Sequence, residues 1–281
     1  MRLSPRFALI TGGFVALVLI GGCAVSTVGE ASASAVQVTA SSSASASPTP
    51  SPTVAPTEPV GPLEGRTIVI DPGHTGAWTA KWGYRRVSDG NGRKKACNSS
   101  GTATNRGYSE HAYNLAQAKA LAKELRALGA TVLLTRTDDK TRSNRLCVNH
   151  RADLLNTNSA DLLISLHADG NLGKGHRGFH LIVSKAMHGG KTVIAKSKAL
   201  AKDLRTALEQ GTSMPRSNYI GKGSAYSFRS DLGTLNFAKH PAVMIELGNM
   251  RNATDAKLFT SAKFRTQAAR AITTGVVNYL S

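Results

Sequence analysis

The chain of 281 residues carries 35 lysines and arginines against 17 acidic residues, a formal net charge of +18 at pH 7. Such an excess of positive charge favours an anionic partner, although a general role in solubility would also explain it. Because the N-terminus has the pattern of an export signal, we expect anionic envelope polymers or acidic peptides as partners and exclude nucleic acid.

Residues 1–23 show that export pattern. Arg2 and Arg6 precede an apolar stretch that is interrupted by glycines and contains no acidic residue. The stretch is too short and too broken to be a permanent membrane span. It ends in Ile-Gly-Gly-Cys, which resembles a lipoprotein signal in which Cys23 becomes lipidated. Ordinary cleavage within the Ala-Ser run at 31–35 would instead leave no lipid, and both alternatives stay open.

Residues 24–62 are dominated by Ser, Ala, Thr and Pro. This composition buries too little apolar surface to offset the entropy lost on ordering. We therefore predict a disordered, flexible tether with proline-stiffened parts. Residues 63–281 are left to form one folded domain with a core of its own.

Strands and helices alternate along this domain. Short β-branched or apolar runs predict strands, and apolar positions three and four residues apart predict helices. The predicted strands are 66–70, 131–135, 162–167, 177–184 and 241–247, and the predicted helices are 109–128, 142–156, 191–210 and 254–280, the last in one or two pieces. This alternation predicts an α/β fold, a single domain whose central, mostly parallel, twisted sheet is flanked by helices on both faces.

Residues 72–107 form a long segment between the first strand and the first helix, rich in Gly, Lys, Arg, Asn and Ser. A loop of this length in a compact domain is usually functional or a binding surface. It contains Cys97, which with Cys147 makes an even pair of cysteines in an exported, oxidising setting. Because neither has the spacing of a metal site, we predict one disulfide, with two free thiols as the alternative.

Three titratable side chains lie at or just after the ends of predicted strands. His74 follows the first strand, His167 ends the third, and Glu246 lies near the end of the last. In sheets of this class, sites collect at the carboxyl ends of the strands. Glu110, in the first turn of the helix at 109–128, can approach the same rim.

Two imidazoles and one carboxylate are a common ligand set for a catalytic zinc ion that keeps one position open. A second carboxylate, not bound to the metal, would then serve as general base and later as proton donor. Glu110 at a helix start is also favoured electrostatically, whereas an unpaired Glu246 within Val-Met-Ile-Glu-Leu would be costly to bury. Spacing alone does not decide which glutamate takes which role. The chain has no His-Glu-x-x-His motif, which excludes the usual helix-borne zinc pair.

Four segments, in this order, resemble the zinc-dependent N-acetylmuramoyl-L-alanine amidases of type 3, enzymes that cleave bacterial peptidoglycan. They are IDPGHTG at 70–76, SEHAYNLAQAKALAKELRALGATVLLTR at 109–136, ADLLISLHAD at 160–169 and PAVMIELGNMRNATDAKLF at 241–259. The resemblance covers about residues 66–280. The export signal, tether and basic charge resemble mycobacterial or other actinobacterial envelope forms.

The resemblance implies a role for each titratable residue at the strand ends. His74, Glu110 and His167 would bind zinc, and Glu246 would be the catalytic acid and base. The implied reaction is hydrolysis of the amide between N-acetylmuramic acid and L-alanine, in cell-wall remodelling or turnover.

Several weaker candidates for substrate binding accompany this set. Asp169, a candidate for substrate binding, stands where the family commonly has Asn, a departure that would alter the contact with substrate. Arg229 and Asn249 occupy places where the family often has polar residues, and local structural roles are the alternative. Trp78 and Trp82 in the long loop would either contact sugar or peptide or pack in a core.

Two other functions stay open, a catalytically silent envelope-binding or regulatory module and a zinc exopeptidase acting on free peptides. The presence of all four implied site residues argues against the silent module. We expect an exported monomer in the cell envelope, lipid-anchored or secreted, with peptidoglycan or muropeptide as substrate.

Overall fold

The computed structural model describes residues 61–281. The export signal, Cys23 and the tether as far as residue 60 lie outside the described residues, so the boundaries at 23 and 62 stay predictions. Within the described range, no helix is both long and apolar enough to cross a membrane.

Residues 61–281 contain eight strands and seven α-helices. The strands are β1 Thr67–Pro72, β2 Arg86–Ser88, β3 Lys94–Ala96, β4 Thr131–Leu134, β5 Leu162–Asp169, β6 His180–Ser184, β7 Tyr226–Arg229 and β8 Ala242–Asn249. The helices are α1 Ala80–Gly83, α2 Glu110–Ala127, α3 Asp153–Thr157, α4 Gly190–Gly211, α5 Gly233–Asn236, α6 Ala253–Thr260 and α7 Ala262–Leu280.

Six strands form one sheet in the order β4-β1-β5-β8-β6-β7. The first four run parallel to one another, β6 is antiparallel to β8, and β7 is parallel to β6. The central strands β5 and β8 are buried along almost their whole length, as in parallel strands covered on both faces. Helices α2 and α4 each pack against α7 and against the sheet. The predicted single α/β domain with a mostly parallel central sheet is confirmed.

The ends of the long helices follow from local chemistry. Gly129, with a φ of +93°, takes the left-handed conformation that commonly terminates a helix, here just after α2. Ser261 is extended, so it separates α6 from α7, and its hydroxyl accepts a hydrogen bond from the Phe264 N–H at 3.3 Å. The last predicted helix is therefore two helices.

The helix predicted at 142–156 is wrong. This segment instead contains a 3₁₀ turn at Arg142–Asn144 and, at its end, only the first four residues of α3. The backbone N–H of Val148 bonds to the carbonyl of Cys97 at 2.7 Å rather than to a carbonyl one turn earlier. Cys97 and Cys147 are joined by a disulfide. Long-range pairing thus overrides the local apolar pattern.

The segment 73–107 has structure of its own. It holds α1 and the antiparallel β2–β3 hairpin. Trp82 is buried against the Cys97–Cys147 disulfide, and Trp78 packs on the same small core. Of the two roles considered for the tryptophans, Trp82 has the core role. The disulfide and this small apolar core stabilise the segment that carries the hairpin.

Candidate metal centre and active site

The turn after β1 presents His74 in a conformation that a non-glycine residue rarely adopts, with a φ of 59°. Two arginines hold the carbonyls of this turn. Arg136 donates to the carbonyls of Pro72 and Gly73, both at 3.0 Å. Arg151 donates to the carbonyls of Pro72 at 3.1 Å and His74 at 3.2 Å. Such surrounding contacts are what allow a strained residue to persist at a functional site.

Arg151 is itself anchored by Asp71, a carboxylate 0% exposed at the end of β1. The two side chains meet at 2.7 Å, and the hydroxyls of Thr135 and Ser165 also donate to Asp71. Burial alone would raise the pKa of Asp71, but the Arg151 charge and the two hydroxyls hold it below its usual value. The sequence pattern does not predict this pair, although a carboxylate within an apolar strand is a signal for a buried partner.

Strand register brings the acid and one imidazole to neighbouring positions. In the parallel pairing of β5 with β8, His167 lies opposite Glu246, so both side chains are on one face of the sheet. On the other side of β8, His180 lies opposite Glu246 in the antiparallel pairing with β6. Burial lowers the pKa of His180 to about 4, so this imidazole is neutral near pH 7.

Three candidate ligand atoms converge beside these strands. Glu110 Oε1 lies 3.1 Å from His74 Nε2 and 3.0 Å from His167 Nδ1. All three ligand atoms lie within 4.8 Å of one another, and the two imidazole rings meet edge to face. The three side chains come from the turn after β1, the start of α2 and the end of β5. The structure thus gathers the residues that the sequence placed at one rim.

Hydrogen bonds orient each of these side chains. His74 Nδ1 lies 3.0 Å from the Ser99 carbonyl, which can only accept, so Nδ1 donates to it and Nε2 is the nitrogen that faces Glu110. Glu110 Oε2 accepts from the Thr102 N–H at 2.9 Å, and Oε1 accepts from the Ala168 N–H at 3.2 Å. Burial alone would raise the pKa of Glu110, but the two imidazoles hold it well below its ordinary value.

This donor set fits a zinc ion. Two imidazole nitrogens and one carboxylate oxygen are typical of three-ligand zinc sites. Gly73 completes the cradle, because a Cβ at this position would lie 2.2 Å from Cε1 and 2.3 Å from Nε2 of His167. The ring of His167 is therefore confined by backbone on one side and by Glu110 on the other.

Glu246 is half-buried, and its buried Oε2 has no hydrogen-bond partner within residues 61–281. Burial, together with the charges of Glu110 and Asp169, raises its pKa well above the usual value, and Arg229 offsets part of this effect. A cation held by the neighbouring ligands would lower that pKa again. An unpaired acid with a perturbed pKa next to a candidate metal centre is suited to proton transfer.

A groove of ≈ 450 Å³ opens over these side chains. Its floor is formed by the three ligand candidates and Glu246, and one wall comes from β3. The hairpin is fastened across the groove, because Lys95 Nζ donates to the Asp231 carbonyl at 2.6 Å and Arg93 donates to the Ser230 carbonyl at 2.8 Å. The long loop therefore forms a wall of the groove.

The three weaker candidates lie in different surroundings. Asp169 lines the groove and accepts a hydrogen bond from the Tyr219 hydroxyl at 2.7 Å. Arg229 is exposed and paired with Asp231 at 2.7 Å. Asn249 is 1% exposed, and its Nδ2 donates to the carbonyls of Asn171 and His176, both at 2.8 Å. These contacts give Asn249 a local structural role, since they fix the loop between β5 and β6.

The fold and this site define a class, α/β proteins with a candidate metal centre at the carboxyl edge of a mostly parallel sheet. The family model described as N-acetylmuramoyl-L-alanine amidase, Amidase_3, matches residues 68–278. The chain belongs to this family.

Relatives with similar sequences support the same assignment. An N-acetylmuramoyl-L-alanine amidase of Mycobacterium tuberculosis is 39% identical over 223 residues, which cover 78% of this chain and 88% of that protein. The crystal structure of the amidase Ami1 from Mycobacterium abscessus matches with a TM-score of 0.72 and 37% identity, over 78% of this chain and 100% of that one. Ami1 from Mycobacterium smegmatis matches with the same TM-score of 0.72 and 35% identity, over 78% and 98%.

Proposed function

We propose that the protein is a zinc-dependent amidase of peptidoglycan, which hydrolyses the amide between the lactyl group of N-acetylmuramic acid and L-alanine. The observation that carries this proposal is the convergence of His74 Nε2, Glu110 Oε1 and His167 Nδ1 beside an unpaired Glu246. Membership of the amidase family and similarity to the mycobacterial amidases support the choice of bond.

His74, Glu110 and His167 would hold the zinc ion, with Glu110 as the charged ligand. When bound, zinc supplies a Lewis acid that polarises a carbonyl and lowers the pKa of water. Glu246 takes a proton from the attacking water while the oxygen of that water bonds to the lactyl carbonyl carbon. The same carboxyl then gives that proton to the alanine nitrogen as the carbon–nitrogen bond breaks. The products are the lactyl acid and a stem peptide with a free amine.

We also propose that the enzyme acts in the cell envelope, in remodelling or turnover of the wall. Peptidoglycan lies outside the cytoplasm, and the export pattern of residues 1–23 would deliver the chain there. The proposal places a monomer there, either anchored by a lipid on Cys23 or secreted after ordinary cleavage. Several relatives are named as probable cell wall amidases of Staphylococcus aureus, at 28% identity.

A digest of a defined muropeptide by the purified protein tests the reaction and the metal together. We expect a free stem peptide and an intact glycan by mass spectrometry, lost with a zinc chelator and regained when zinc is added. Release of single amino acids would instead indicate an exopeptidase. An untouched muropeptide and untouched sacculi, with zinc-loaded protein, would support the silent module.

Replacing Gly73 with alanine tests the cradle of His167. The added Cβ would lie 2.2 Å from the imidazole, so the ring must move away from its position beside Glu110. We expect zinc affinity to fall about 10- to 100-fold, the usual range when the support of a metal ligand is disturbed. A competition titration with a chromogenic chelator measures this affinity.

Gly65→Ala is the matched control. Gly65 has a φ of +73°, so alanine there strains the backbone, but the new Cβ meets nothing within 4 Å. This control is expected to lower stability slightly while zinc affinity stays native. Equal zinc affinity in the Gly73 variant and the control would show that His167 is not a ligand.

A further inference from the structure

A second pocket of ≈ 380 Å³ adjoins the groove at the same edge of the sheet. Gly170 and Thr102 line the groove, while Asn171 and Asn105, a few residues further along the same two loops, line the second pocket. Its far wall is the turn from Arg251 to Ala253 that follows β8. A ligand in the groove can therefore extend into this pocket.

The pocket is cationic. Lys174 and Arg251 supply its positive charge, His176 also lines it, and none of the described residues that line it is acidic. Arg251 has donors to spare, because one Nη donates to the Ala103 carbonyl at 3.3 Å while its buried Nε has no hydrogen-bond partner within residues 61–281. An arginine with unused donors in a cationic pocket is suited to a carboxylate. Leu172, 80% exposed, adds an apolar surface at the rim.

The walls of the pocket are held in place. Asn249 fixes the loop between β5 and β6 from below, as described above, and the buried Asp255 accepts hydrogen bonds from the Arg177 side chain at 3.0 Å and the Gly178 N–H at 2.8 Å. The His176 ring stacks on Tyr219 with centroids 4.8 Å apart, and Tyr219 donates to Asp169 in the groove. The pocket is therefore preformed and connected to the groove wall, as ligand sites usually are.

The chemistry of the substrate decides what this pocket can bind. This step rests on the proposed function. In an N-acetylmuramoyl peptide, the sugar is neutral, and the lactyl carboxyl is consumed in the scissile amide. The remaining carboxylates belong to the stem peptide, the leaving-group side of the reaction. We propose that the pocket is a subsite for a free carboxylate of the stem peptide, with Arg251 as its principal donor.

The other cations that line the groove are already engaged. Lys95 Nζ donates to the Asp231 carbonyl, and burial lowers its pKa. Arg151 is committed to Asp71 and to the turn that carries His74. Arg251 is thus the arginine at this edge of the sheet that best fits an incoming carboxylate.

A matched pair of muropeptides tests the proposal. One has its peptide carboxyls free, and the other has all of them amidated, so the two differ in charge and little in shape. With the zinc-loaded wild-type protein, we expect KM to be about tenfold higher for the amidated substrate, as for loss of one charge-assisted hydrogen bond. In Arg251→Gln this ratio should fall to about one. Lys174→Gln should lower the ratio by a smaller factor, and it serves as the second variant if Arg251→Gln folds poorly.

Arg270→Gln is the control. This exposed arginine of α7 contacts Glu124 at 3.6 Å and does not line the pocket. It should keep the wild-type ratio. The proposal is overturned if wild type shows no preference, if Arg251→Gln and Lys174→Gln keep the ratio, or if Lys95→Gln abolishes it instead. Calorimetric titration of the released stem peptide and its amide into the same proteins measures their affinity for the pocket without turnover. Arg251-dependent binding without cleavage of any muropeptide would reject the proposed function and leave the carboxylate subsite standing.

Discussion

Replacing Glu246 with glutamine is expected to lower kcat for muropeptide hydrolysis by at least about 10²-fold, the usual range for a positioned general base. Glutamine keeps the shape of the side chain, so the packing of β8 against β5 and β6 is retained. Its amide can neither take the proton of the attacking water nor give one to the alanine nitrogen. The large effect follows because Glu110 is held by His74 and His167 and Asp169 by Tyr219, so neither of these groove carboxylates is placed to take over the proton transfer.

Zinc content separates this role from that of a ligand. Glu246→Gln should retain zinc at the wild-type stoichiometry by atomic absorption, whereas loss of Glu110 should lower the metal content itself. Glu124→Gln is a suitable control, since Glu124 is a surface residue of α2 whose contact with Arg270 is long at 3.6 Å. A native rate in Glu246→Gln would show that the acid and base lie elsewhere.

The sequence was sufficient to predict the sheet and the grouping of the site residues. Parallel strands end at one edge, so His74, His167 and Glu246 had to approach one another once their strands were recognised. The spacing of the residues did not decide which glutamate is the metal ligand and which is the general base. The structure separates Glu110, held by two imidazoles and two backbone donors, from Glu246, whose buried Oε2 accepts no hydrogen bond within the described residues.

Contacts between distant segments explain what the sequence did not reveal. The helix predicted at 142–156 fails because its backbone is paired with the segment around Cys97. The hydrogen bonds from Arg136 and Arg151 to the turn that carries His74 are not predictable for the same reason. Each arginine lies more than 60 positions away from the carbonyls that accept its hydrogen bonds. Local periodicity carries no information about such partners.

Removing the guanidinium in Arg151→Met is expected to destabilise the protein by about 3–5 kcal/mol, the range for breaking a buried ion pair from one side. Asp71, 0% exposed, would keep only its two hydroxyl donors, the carbonyl of His74 would lose its donor, and that of Pro72 would keep only Arg136. Denaturant unfolding followed by circular dichroism measures the loss. Arg270→Met, which removes an exposed arginine, should change stability by no more than about 0.5 kcal/mol.

The dependence on pH identifies the cause. In the wild type, the pKa of Asp71 is lowered in the folded state, so its contribution is present above the unfolded pKa and is lost as pH falls. Without Arg151, burial would raise the folded pKa instead, so the variant loses stability as pH rises. The gap between wild type and Arg151→Met should therefore be widest near neutral pH and narrow as pH falls towards about 4. A gap that is constant across this range would mean that lost packing and hydrogen bonds, and not the uncompensated charge of Asp71, cause the loss.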